Sequence, residues 1–173
     1  HQLRYDEQLG HSEDWDLWQR ACLLFPLANI PETHLRYRLH SGSVSHLTEE
    51  RKKRTAGILY NRFFRLLGLQ DSGFRDIHMD IAAGTFDAWD KDIKFIAQAL
   101  EWLRTIRVAN RSTGVFDEAA LERQLEERLF AVLNANTRLG GFVLQLSRRA
   151  KLHRKINLTK LLKFYIKALL RRG

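Results

Sequence analysis

From Trp89 to Ile106 the apolar side chains Trp89, Ile93, Ile96, Leu100, Leu103 and Ile106 recur at every third or fourth position. That spacing lines up on one stripe of an α-helix and does not suit the two-residue period of a strand. It predicts a helix over about 88–109, capped by Asp87. The same period returns on both sides. Ile58, Leu59, Phe63, Leu66 and Leu67 mark a helix capped by Thr48 and closed by Gly68. Leu121, Leu125, Leu129, Val132 and Leu133 mark another, capped by Asp117 and reaching about residue 135. Phe74, Ile77 and Ile81 predict a short helix over 73–83, Gly140–Gly141 reads as a break, and a last helix is expected from Leu158 to Arg172. Residues 47–173 are therefore expected to be almost wholly helical.

Residues 1–46 read differently. Ser12 is a suitable N-cap, and Glu13 and Asp14 suit the positive end of a helix over 13–24. Trp15, Trp18, Cys22 and Phe25 follow at helical spacing. Pro26 and Pro31 bracket an apolar stretch, Thr33 to Leu39 alternates like a strand, and Ser41–Gly42–Ser43 makes a turn. The expected fold is mainly α: a short α/β segment over 1–46, then a helical domain over 47–173.

Composition narrows the function classes. Of the 173 residues, 45 % are hydrophobic and 28 % charged, near the averages for folded domains, so wholesale disorder is excluded. The single cysteine, Cys22, excludes an internal disulfide framework and a multi-cysteine zinc site. No apolar run approaches the length of a membrane span. His1 is followed by no signal-peptide pattern, and the chain is expected to be part of something longer. Charge is uneven: residues 1–46 carry 4 basic and 6 acidic side chains, whereas from Arg138 onward there are 11 Lys or Arg and no acid. A basic end of that kind seeks phosphate, in lipid headgroups or in nucleic acid.

The densest pattern is in the front segment. It runs Glu13–Asp14–Trp15–Asp16–Leu17–Trp18–Gln19–Arg20, then Ile30–Pro31–Glu32, then Leu35–Arg36–Tyr37–Arg38–Leu39–His40. This ordered set resembles the C-terminal end of the catalytic domain in family 2 glycosyltransferases of the GT-A fold. There an acidic pair followed by Asp-Leu-Trp-x-Arg opens a helix, and a Pro-containing strand and a Tyr-Arg-x-His segment follow. The resemblance covers residues 3–46, about a quarter of the chain. It implies transfer from a nucleotide-sugar donor to a saccharide or lipid-linked acceptor in cell-surface polysaccharide synthesis, with inversion. It implies that Asp14 is the general base, because a sugar hydroxyl is a poor nucleophile until a base is within hydrogen-bond reach. Glu13 would contact acceptor or backbone, and Trp15 and Trp18 would offer flat faces to a sugar. Arg38 would approach phosphate, and His40 would help to ligate a divalent metal, Mn or Mg. The metal is expected in a full-length enzyme and not on this segment alone.

Plainer readings stand beside these. Glu13 and Asp14 also serve as helix-capping acids, His40 as a surface histidine, and Arg36 and Arg38 as a solvated face. Trp18 reads more simply as core, and Cys22 as buried and inert. The nucleotide-binding half of such an enzyme, with its Asp-x-Asp motif after a strand, is missing. Asp14–Trp15–Asp16 and Asp90–Lys91–Asp92 have the letters but fall in expected helices. The segment alone is therefore expected neither to bind a nucleotide sugar well nor to turn it over.

The last helix sets Leu158, Leu161, Leu162, Tyr165, Ile166, Leu169 and Leu170 on one wide face. Lys160, Lys163, Lys167 and Arg171 occupy the other. Such a helix either lies on an anionic membrane surface or packs on its own domain with a solvated basic rim. The expected location is cytoplasmic, peripheral on the inner face of the membrane if the helix docks. A nucleic-acid-binding or protein-interaction module is the alternative class. Nucleic acid is disfavoured, because the aromatics are not interleaved with the basic cluster.

Overall fold

The computed structural model describes residues 3–9, 12–36, 38, 49–70, 72–83, 93–154 and 156–170, with 49–55, 83 and 153 placed by backbone alone. The chain is mainly α. Among the described residues there are seven α-helices: α1 (Glu13–Ala21), α2 (Glu49–Leu66), α3 (Arg75–Ala83), α4 (Ile93–Thr113), α5 (Glu118–Ala135), α6 (Gly141–Arg149) and α7 (Leu158–Leu170). They form two compact units, residues 1–62 and 63–173. The expected caps Thr48 and Asp87, together with Trp89, His40 and Arg171, lie outside the described residues.

In the first unit a 3-10 turn at Glu7–Leu9 precedes α1. Three acids, Glu13, Asp14 and Asp16, crowd the first turn of α1, where the positive end of the helix dipole favours them. Ser12 holds the N-cap position, and its carbonyl accepts from the Asp16 N–H at 3.1 Å, but its hydroxyl caps no backbone donor. Among the described residues, Leu9, Ala21 and Leu59 are the buried apolar side chains of this unit. Of the alternating stretch Thr33 to Leu39, expected as a strand, residues 33–36 and 38 are irregular, and no strand occurs among the described residues. Alternation supplies a face, but a strand persists only where a neighbour takes up its N–H and C=O groups.

In the second unit α4 packs chiefly on α5, α3 on α4, and α6 on α7. α4 and α5 are antiparallel. Arg107 grips Glu122 through two hydrogen bonds of 2.5 and 2.9 Å, and Arg111 meets Glu118 at 3.1 Å, so partner numbers fall as one climbs α4. The connection between them is short and tied. Gly114 takes φ +63°, and Asn110, buried in α4, donates to Phe116 O (2.9 Å) and accepts from Phe116 N–H (2.8 Å). Both polar ends of a buried amide are thereby satisfied. Asp117 then caps α5, accepting from the Ala120 N–H at 2.8 Å, as its sequence position predicts.

The stripes read from sequence are largely the ones buried. Ile96, Leu103 and Ile106 of α4, and Leu125, Val132 and Leu133 of α5, are core. Ile93 is exposed instead, and Phe95, Ala99 and the fully enclosed Trp102 complete the inner face of α4. Trp102 anchors an aromatic cluster. Phe74 stacks on it at 5.1 Å, Phe64 meets it edge-on at 5.2 Å, and its indole N–H donates to His78 Nδ1 at 3.1 Å. Burial, and then the charge of Arg128, push the His78 imidazole down to about 4, so it is neutral at pH 7.

The Gly140–Gly141 break is followed at once by α6, a helix the apolar spacing did not announce. Gly140 at φ +47° and ψ −117° makes a turn open only to glycine, and the helix begins one residue later. Val143 and Leu144 are its core side chains. Its buried Ser147 hydroxyl lies 3.4 Å from the Tyr165 hydroxyl of α7.

Candidate functional site

The acidic start of α1 divides its carboxylates by environment. Asp14 is exposed, and one of its oxygens accepts from the Trp15 N–H at 2.7 Å. Asp16, two residues on, is buried to 1 % exposure. Arg20, one turn later on the same helix, donates its Nε–H to Asp16 Oδ2 at 2.8 Å, and Arg62 of α2 sets its Nη1 2.5 Å from Asp16 Oδ1. Arg20 also donates to the Arg4 carbonyl at 2.5 Å, so the N-terminal segment is tied to the same node. Burial alone would raise the Asp16 carboxyl. Hydrogen bonds and charge from Arg20 and Arg62 outweigh it and hold the group below the ordinary aspartate range. A buried carboxylate held by two guanidinium groups is an anchor: it orients the first turn of α1 and with it Asp14.

This anchor went unread in the sequence. The Asp16–Arg20 spacing of i, i+4 is visible there, but Arg62 lies 46 positions away, and no local pattern links it to α1.

The anchor also explains the aromatics. Because the Asp16–Arg20 edge of α1 is the tethered one, the ridge of Trp15, Trp18, Cys22 and Phe25 faces outward. Trp18, expected as core, is 53 % exposed, and Trp15 is 50 % exposed. Cys22, expected buried, is exposed, with its thiol donating to Gln19 O at 3.3 Å. Trp15, Trp18, Gln19, Cys22, Leu27 and Tyr60 line a shallow depression of about 320 Å³. Its floor is largely aromatic and open to solvent, so ring faces are available there for an apolar or amphipathic contact.

The remaining expected site residues are scattered. Arg38 is exposed on irregular chain, and His40 lies outside the described residues. Among the described residues no group of three His, Cys, Asp or Glu side chains converges to hold a metal ion.

The second unit presents α7. Of the wide apolar face expected from its sequence only Leu161 is buried, and the core is met by Leu161 with Phe164 and Ala168, which lie beside that face. Leu158, Leu162, Ile166, Leu169 and Leu170 are exposed. At 100° per residue the exposed apolar stripe runs directly into the exposed row Lys160, Lys163, Lys167. One side of the helix is thus anchored in the core, and the other offers solvent an apolar strip with a basic edge. No helix among the described residues is long and apolar enough to cross a membrane.

Comparison of the chain with protein-family models, with curated proteins and with solved structures finds no match.

Proposed function

We propose that the chain is the acceptor-side end of an inverting, nucleotide-sugar-dependent glycosyltransferase of the GT-A type, followed by a helical domain that rests on an anionic membrane surface. The observation that carries the reading is the division of labour in α1: Asp16 is buried and spent as an anchor, while Asp14 stands exposed on the turn that the anchor holds.

Asp14 acts as the general base. As the acceptor hydroxyl oxygen attacks the anomeric carbon, its proton passes to the Asp14 carboxylate. The bond from that carbon to the diphosphate oxygen breaks on the opposite face, and the configuration inverts. Trp15 and Trp18 stack on the acceptor ring and hold the hydroxyl within reach, which supplies orientation and not chemistry. Glu13 contacts acceptor or backbone, and Arg38 approaches phosphate. In the full-length enzyme His40 would help to hold a divalent metal, Mn or Mg, whose charge would stabilise the departing diphosphate. On α7 the exposed apolar strip enters the headgroup boundary, and Lys160, Lys163 and Lys167 meet anionic lipid, bringing the enzyme to a lipid-linked acceptor.

The test is sugar transfer by the full-length gene product, compared between the native enzyme and Asp14→Asn. Loss of the base is expected to lower kcat by about 10²–10⁴-fold with the acceptor KM little changed. Native transfer rates in the variant, or no sugar transfer by the native enzyme, would overturn the proposal.

A further inference from the structure

The second unit carries a half-open cavity of about 360 Å³ that the reading above does not use. Its walls are mostly apolar: Phe63 and Phe116, stacked with ring centres 5.5 Å apart, the indole of Trp102, and Ile106, Leu121 and Leu125. Ligand pockets have this size and lining, with a few polar groups that fix orientation. A dry cavity of about 150 Å³ admits benzene. A volume a little over twice that takes an apolar body of about two fused rings.

The polar groups at the cavity are unequal. Asp117 is committed to the Ala120 N–H as the cap of α5, and Trp102 gives its N–H to His78. His78 is neutral at pH 7. Arg128 is different. It lines the cavity from α5, is itself solvent-exposed, and among the described residues reaches the carbonyls of Ile81 and Ala82, both at 3.5 Å. No carboxylate lies within ion-pair distance of it among the described residues. An apolar pocket with a guanidinium at its rim that no carboxylate among the described residues pairs with suits a molecule with an apolar body and an anionic head, since carboxylate and guanidinium geometries match.

We propose that this cavity is a binding site for a small aromatic or bicyclic carboxylate, with the ring system between Trp102 and Phe116 and the carboxylate on Arg128. The site lies wholly within residues 63–173 and does not depend on the glycosyltransferase reading.

The experiment titrates the full chain with 2-naphthoate and with the neutral 2-naphthalenemethanol by calorimetry at low salt, and follows the Trp102 indole N–H by NMR. The carboxylate is expected to bind one saturable site at least tenfold more tightly than the alcohol, shifting the Trp102 signal. Arg128→Gln is expected to bring the two ligands within twofold of each other. Ala120→Trp, which fills the cavity from α5, is expected to weaken both by tenfold or more. Should that variant lose its helical circular dichroism, Gln124→Trp, at an exposed lining position, is read in its place. Absence of saturable binding, an unmoved Trp102 signal, a carboxylate preference that survives Arg128→Gln, or full affinity in the filled variant would each overturn the proposal.

Discussion

Acid should weaken the second unit through His78 well before its carboxylates titrate. In the unfolded chain a histidine takes its proton near 6.5, but in the fold His78 does so only at about 4, chiefly because the ring is buried and then because Arg128 repels its charged form. A base whose native pKa is depressed favours folding fully above 6.5 and loses that contribution as pH falls from 6.5 to 4. Each unit of difference is 1.36 kcal/mol, so the whole shift amounts to about 3 kcal/mol. Integrated through the window, the loss is about 1.4 kcal/mol by pH 5.5 and about 2 kcal/mol by pH 5. These are ceilings, because the ring keeps some contact with solvent. The assay is urea unfolding of the native chain and of His78→Gln, followed by tryptophan fluorescence from pH 7.5 to 4.5. Glutamine retains an acceptor for the Trp102 N–H but does not titrate. The variant is expected to be less stable at pH 7.5, and the gap is expected to narrow by about 2 kcal/mol at pH 5. Every other titrating group is common to the two proteins and cancels. Parallel pH profiles, or an NMR titration placing His78 near 6.5, would refute the reasoning.

Two further outcomes follow from the other charged features. Asp16→Asn leaves Arg20 and Arg62 without their shared carboxylate and is expected to cost the first unit about 2–3 kcal/mol at pH 7 by urea titration, below the fully buried range because both guanidinium groups are partly exposed. Since the Asp16 pKa is lowered, its contribution is intact above the ordinary value of 3.8 and fades as pH falls below it, so the native-to-variant gap should close only in that acid range. For α7, replacing Lys160, Lys163 and Lys167 together by Gln is expected to lower co-sedimentation with phosphatidylserine vesicles about 100-fold, at about 1 kcal/mol per lysine. Leu162→Glu should abolish it at any salt concentration, whereas equal retention on neutral phosphatidylcholine vesicles would remove the anionic-surface reading.

The front segment and the helical region were unequally legible in the sequence. In the helical region the apolar period and the Asp117 cap are local properties, set by which residues share a face within a few turns. They placed α3, α4 and α5 to within a few residues, and all six core positions named above on the α4 and α5 stripes (Ile96, Leu103, Ile106, Leu125, Val132 and Leu133) lie where the spacing predicts. α6 escaped because two glycines precede it, and a glycine pair is equally compatible with a loop. Its place is set by the turn at Gly140 and by its packing on α7.

In the candidate site the sequence order announced the helix that forms at Glu13–Ala21 but not the duties of its side chains. Glu13, Asp14 and Asp16 are chemically alike and adjacent in the chain, and nothing local says which of them meets a partner from residue 62. The same holds for α7: the core took Leu161 from the wide apolar face read in the sequence, with Phe164 and Ala168 from beside it, and left Leu158, Leu162, Ile166, Leu169 and Leu170 exposed. Periodicity determines that a helix forms and roughly which stripe is apolar, because those are short-range properties of the backbone. Which part of the stripe is dry, and which of three carboxylates is buried, depends on contacts between positions far apart in the chain, and only the tertiary structure decides them.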